Sequence, residues 1–289
     1  MEYVIHLSIL VCIYLILAQS LNLSFGRGRL LNLAHVALYG IGAYCTALLS
    51  TELGYGFWVC APVSMAISAF AALLVGLISV KLSHDYFAVG TLAFAAMVTA
   101  LMNNWRSLTR GVLGIPGIPR PTILDLDFYD NSIFFTFSLI LVACSFAVLG
   151  LCFRGRLARK LAMQAEDEQA AQALGVDVRA TRNDAFIISA LFAGLAGCLY
   201  SYYLNFIDPS TFGLDEMVFV LSIVIVGRPG SFWGTVGATV FLVLLPEPLR
   251  FLQFDPGIIG PARQLIYATV LFLTIYQRRY SLFPPKRTI

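Results

Sequence analysis

Apolar runs of nearly constant length recur along this chain, and short polar turns separate them. A helix needs about 20 predominantly apolar residues to cross a hydrocarbon core. Windows of that order fall at 4–24, 31–51, 57–80, 86–105, 132–153, 183–206, 212–227, 231–250 and 263–279. The seventh and ninth are short or charged at an edge, so each reads as a full crossing or as a tilted, broken or half-span element. The stretch from Tyr3 to Phe25 has no basic leader and no evident cleavage site. It also exceeds the roughly 7–15 residues of a signal-peptide core, so a retained first span is expected. The pattern predicts an all-α polytopic membrane protein, a single domain over residues 1–289 built as a bundle of about 8–10 transmembrane helices.

One long polar segment interrupts the pattern, RGRLARKLAMQAEDEQAAQALGVDVRATR, residues 154–182. It must lie in water while its neighbours lie in lipid. From Leu157 to Leu174 it carries no Pro or Gly and is rich in Ala, Leu, Met, Gln and Glu, so one short amphipathic helix is expected there, with Gly175 as its stop. Basic residues gather at Arg27 and Arg29, at Lys81, in this segment, at Arg228, and at Arg278, Arg279, Lys286 and Arg287. Alternating spans put all five clusters on one side, which the positive-inside rule makes the cytoplasm. Nine crossings then leave the N-terminus outside. The outer loop 106–131 goes against the bias with Arg106, Arg110 and Arg120, beside Asp125, Asp127 and Asp130.

Composition agrees, with 59% hydrophobic and 12% charged residues where a soluble domain carries about 25% charged. The formal charge of +3 is confined to loops and reads as membrane orientation, with no support for nucleic-acid binding. Six cysteines, at 12, 45, 60, 144, 152 and 198, lie in apolar segments without C-x-x-C spacing, which argues for packing roles and against a disulfide framework or a metal site. No phosphate loop, H-E-x-x-H or G-x-S-x-G motif occurs, and the three histidines are far apart. A chain so equipped is not expected to be an enzyme or to hold a cofactor of its own.

Within the polar segment, Gln169-Ala170-Ala171 followed by Gly175 resembles the cytoplasmic coupling signature of ABC importer permeases, with Gln169 in place of that pattern's glutamate. EDEQAAQALGVDV is most similar to the branched-chain amino acid permeases. Further stretches resemble the same family in order: LNLAHVALYGIGAY near the N-terminus, DYFAVGTLAFAAM after Lys81, the Gly- and Pro-rich LTRGVLGIPGIPRP, and IVIVGRPGSFWGTVGATV. In the last, Arg228-Pro229 departs from a glycine run.

The resemblance implies an ABC importer permease fold with a coupling loop at 154–182. Its coupling residues are Glu166, Asp167, Glu168, Gln169, Ala170, Ala171, Leu174 and Gly175. It implies a bacterial inner-membrane subunit paired with a second homologous permease and with two cytoplasmic ATPases that bind ATP and Mg. A periplasmic binding protein would select branched-chain or other neutral amino acids. Urea or short amides are the alternative cargo, and an ion-coupled transporter or channel acting alone is a different class.

Other residues carry open readings. Asn32 and His35, three apart, are expected on one helix face, either lining a translocation path or bonding helix to helix. The loop 108–121 is a structured outer cap or a contact for a binding protein. Tyr86 and Phe87 suit an interfacial aromatic belt. Glu247 either pairs with Arg250 or faces a wet cavity. Ser189, Ala193, Gly197 and Ser201, and again Gly230, Gly234 and Ala238, repeat every four residues, as close helix approach in lipid requires.

Overall fold

A computed structural model of the chain describes residues 2–79, 84–121, 128–248 and 256–282. Twelve helices are formed among the described residues: α1 Glu2–Leu21, α2 His35–Thr51, α3 Phe57–Ser79, α4 His84–Asn104, α5 Arg106–Thr109, α6 Asn131–Arg154, α7 Arg156–Glu166, α8 Glu168–Ala173, α9 Val178–Leu204, α10 Leu214–Val226, α11 Phe232–Leu244 and α12 Pro256–Leu282. Among the described residues five segments are long and apolar enough to cross a membrane: Glu2–Arg27, Phe57–Leu77, Tyr86–Asn104, Asn131–Arg154 and Val178–Leu204. Antiparallel strands β1 Ile115–Pro116 and β2 Phe206–Ile207 pin the Gly- and Pro-rich loop, so it is structured as expected.

The bundle is built around α9, the most enclosed of the five crossing segments. Lipid supplies no hydrophobic drive between helices, so adhesion depends on close backbone approach and shared hydrogen bonds. The predicted small-residue stripe provides both. A Cβ on Gly42 of α2 would fall 2.5 Å from Cα of Gly194 in α9, and a Cβ on Gly197 would strike the Tyr39 carbonyl oxygen. Ser201 Oγ donates to Ala43 O at 2.9 Å, and Ser68 of α3 to Leu38 O at 3.0 Å. In the second stripe, Gly234 lets α11 close on Gly227, whereas Gly230 lies in the preceding turn at φ +81°.

Contacts at the helix ends fix the path. Gly230 N–H donates to Asn22 Oδ1 at 2.7 Å, Arg29 Nη1 donates to Ala165 O at 3.3 Å and Arg278 Nη1 to Val226 O at 3.1 Å. Arg27, Arg29, α7, Arg228 and Arg278 thus share one end of the bundle, as the basic clusters predicted. Lys81, Asp125, Asp127, Arg250, Lys286 and Arg287 lie outside the described residues. At the opposite end the Tyr3 hydroxyl donates to Glu247, which is therefore partnered across the bundle by the first helix.

Several expectations change. The short windows are the seventh and eighth: α10 and α11 have 13 residues each, while the ninth lies in the 27-residue α12, which carries Pro261 and is kinked at Arg278. The chain spends 205–213 on β2 and a 3-10 turn, Pro209–Phe212, before α10 begins, and Ser231 caps α11 by accepting from Gly234 N–H. Window 31–51 becomes helical only at His35, since Arg29 takes φ +51° and residues 29–34 are not helical. Asn32 is therefore not on a helix face with His35. Tyr86 is exposed, but Phe87 is buried edge-on against Phe186 and belongs to the core.

Candidate functional site

The polar segment between α6 and α9 folds as a compact foot. The expected single helix is two, α7 and α8, because Asp167 leaves the helical region at φ −153°, ψ 116° and its carboxylate accepts from the N–H groups of Gln169 and Ala170. That is an N-cap: it satisfies orphan donors of a new helix and forces a bend. One and a half turns later α8 ends in a complete Schellman motif. Gly175 N–H donates to Gln172 O at 2.9 Å, Val176 N–H to Ala171 O at 3.0 Å, and Gly175 takes φ +80°. Ala171, Val176 and Val178 close the accompanying apolar contact.

Two anchors tie the foot to the bundle. Leu161 of α7 is buried over Gly28, next to the Arg29 bond to Ala165 O. Glu168 pairs with Arg182 in the first turns of α9, a residue only 4% exposed. The pair links α8 directly to α9, the axis of the bundle. The predicted coupling residues divide by role. Asp167 caps, Glu168 pairs and Ala171 packs inward, while Glu166, Gln169, Ala170, Leu174 and Gly175 face outward. Leu174, 73% exposed beside Ala170 and Ala173, makes a low apolar surface rimmed by charge.

Asn32 and His35 are both fully buried. Asn32 Oδ1 accepts from Ala34 N–H at 3.0 Å, a local turn that starts α2. His35 Nε2 lies 3.1 Å from Leu17 O and 3.1 Å from Ser20 Oγ, joining α2 to α1. A carbonyl only accepts, so Nε2 carries the proton. His35→Ala is expected to destabilise the protein by about 1–3 kcal/mol by stranding buried polar groups. It should lower the thermal unfolding midpoint in detergent, and an unchanged midpoint would remove this bridging role.

A cavity of about 460 Å³ lies beside these residues, between α2, α4 and the start of α10. Leu33, Val36, Ala37, Leu92 and Met217 give it apolar walls, and Thr99 and Asn103 add polar atoms. Neither Asn32 nor His35 lines it. Phe212 stands at its edge, held edge-on against Tyr39 and Tyr44.

Sequence reasoning missed the turn that joins the short helices to α1. Past Leu21 the first helix widens into a π-helix over Asn22–Arg27, and Asn22 Nδ2 donates to Ser231 O at 3.1 Å while its Oδ1 receives Gly230 N–H. A Cβ on Gly26 would collide with both Asn22 and Gly230. The available signal was the polar set Gln19, Ser20, Asn22 and Ser24 inside an otherwise apolar span. Glu216 was also missed; it opens onto a second cavity of about 280 Å³ with Tyr14, Glu247 and Arg263.

The sequence pattern of the family described as "Branched-chain amino acid transport system / permease component" matches residues 3–275, nearly every element above. The chain belongs to this permease family. Among its relatives are the high-affinity branched-chain amino acid transport system permease proteins LivM of Escherichia coli (strain K12) and of Salmonella typhimurium (strain LT2). Each is 35% identical over 269 residues, covering 85% of this chain and 63% of the relative. The chain thus spans about three fifths of the length of those permeases. No solved structure matches it. The foot, the small-residue stripe and the Asn22-clamped turn all fall within the stretch matched to the permease family.

Proposed function

We propose that this chain is the membrane-spanning permease subunit of an ATP-driven importer for branched-chain or other neutral amino acids. It acts in the bacterial inner membrane with a second permease, two cytoplasmic ATPases and a periplasmic binding protein. The observation that carries the reading is the capped, outward-facing foot. Its apolar top is small enough for a partner backbone to approach, and its ion pair to Arg182 leads into the central helix. An ATPase closing on Ala170, Ala173 and Leu174 would pull α8, and α9 would carry that displacement to α2 and the cavity beside it. The apolar walls of that cavity suit aliphatic side chains, and Thr99 and Asn103 offer hydrogen bonds to a zwitterion's polar end. No covalent step takes place in this chain; ATP and Mg belong to the ATPases.

The test is gentle purification of the chain with whatever accompanies it, followed by ATP turnover with single amino acids and the binding protein. Copurifying ATPases stimulated at least several-fold by leucine, isoleucine or valine are expected. Uptake by vesicles stripped of ATPase subunits would overturn the reading in favour of an ion-coupled carrier.

A further inference from the structure

A third cavity, about 740 Å³, opens at the basic end between the π-helix of the first span, α10 and α12. Arg29, Arg228 and Arg278 stand around it, and Phe25, Leu221 and Ile275 form apolar wall below them; no acidic side chain lines it among the described residues. Three guanidiniums over an apolar slot, at the end of membrane-crossing helices, match an anionic headgroup with its acyl chains beneath. Arg228 is the informative member. It holds φ +68°, a left-handed conformation that strains an ordinary side chain. Glycine would relieve that strain and lose only the charge. Arg228 is exposed at the cavity, and its side chain makes no hydrogen bond or ion pair among the described residues.

We infer that this cavity binds an anionic phospholipid of the leaflet at the basic end, its phosphate held by Arg29, Arg228 and Arg278. The inference uses only the location of this end at a membrane surface, and it stands or falls separately from transport. The full chain, purified in mild detergent, would be exposed to phosphatidylglycerol, phosphatidylethanolamine, glycerol 1-phosphate or inorganic phosphate, and retained ligand counted by native mass spectrometry. Phosphatidylglycerol should be retained over phosphatidylethanolamine.

Each arginine removed should weaken retention about fivefold, so Arg228→Gly with Arg278→Gln should lose about 25-fold. Arg159→Gln, which removes an exposed charge from α7 at the same end, should lose little. Arg228→Gly alone keeps the falsification open if Arg278→Gln disturbs the bond to Val226 O. Equal losses in the Arg159 control, or full retention in Arg228→Gly, would reduce the site to general surface charge and overturn it. Binding of glycerol 1-phosphate or phosphate as tight as that of the lipid would overturn the lipid assignment in favour of a soluble anion.

Discussion

Gly175→Val should abolish both uptake and amino-acid-stimulated ATP turnover while the protein still inserts at its normal level. Space is not the reason, because a Cβ at Gly175 meets nothing within 4 Å. The backbone is. Gly175 holds φ +80°, which costs a β-branched residue about 1–3 kcal/mol, and α8 has only six residues with which to absorb that cost. An isolated helix so short has almost no stability of its own. Losing the two Schellman bonds therefore unwinds the foot without touching the bundle. Gly175→Asn is the informative companion, since asparagine tolerates the left-handed region. It should retain most activity, read as uptake in proteoliposomes containing the whole complex. Wild-type uptake by Gly175→Val would remove the foot from the mechanism.

Gly42→Ala should be a strongly damaging single-methyl change at the α2–α9 contact. Its Cβ would lie 2.5 Å from Cα of Gly194, so α2 and α9 must part, and overpacking of this kind costs about 1–3 kcal/mol. Gly197→Ala should cost a similar amount through the Tyr39 carbonyl. Once either has separated the helices, the other should cost less, so the double variant falls short of additivity. Gly237→Ala is the control: nothing lies within 4 Å of its Cβ, and removing a helix glycine should stabilise by up to about 1 kcal/mol. Thermal unfolding of the four proteins in detergent checks the set. Equal midpoints for Gly42→Ala and Gly237→Ala would show that helix contact here is looser than the fold requires.

Five of the nine windows became helices of crossing length among the described residues, and these were legible because such a window is set by membrane thickness, a constraint that acts on composition alone. The small-residue stripe on α9 was legible for a related reason: close approach demands Gly, Ala and Ser at fixed spacing. The foot was half legible. Its exposure, its glycine stop and the family resemblance stood in the sequence, but Asp167 was counted among helical charges because a cap and a helical aspartate differ only in backbone conformation.

Asn32 and His35 were misread as a face because helical spacing was carried backwards through residues that Arg29 turns out of the helix. The short seventh element was read correctly, but the lengths of α11 and α12 were assigned the wrong way round, since hydropathy does not record where Ser231 starts a helix or where the chain turns after Leu244. Asn22 left the weakest mark. One asparagine in an apolar span announces a hydrogen bond, but its partners, Gly230 and Ser231, lie over 200 residues away and only the fold brings them to it.

Sidedness of the foot tests the central claim most directly. Gln172, whose side chain is exposed on α8 while only its carbonyl serves the C-terminal cap, can be replaced by cysteine and probed with a membrane-impermeant maleimide in spheroplasts and in inverted vesicles. Cys144 is exposed and Cys152 sits half-buried near the foot end of α6, so both are replaced by serine in the probe background. Labelling confined to inverted vesicles, and blocked when the ATPase subunits are bound, is the predicted result. Labelling from the outer face, or labelling indifferent to the ATPases, would contradict the account.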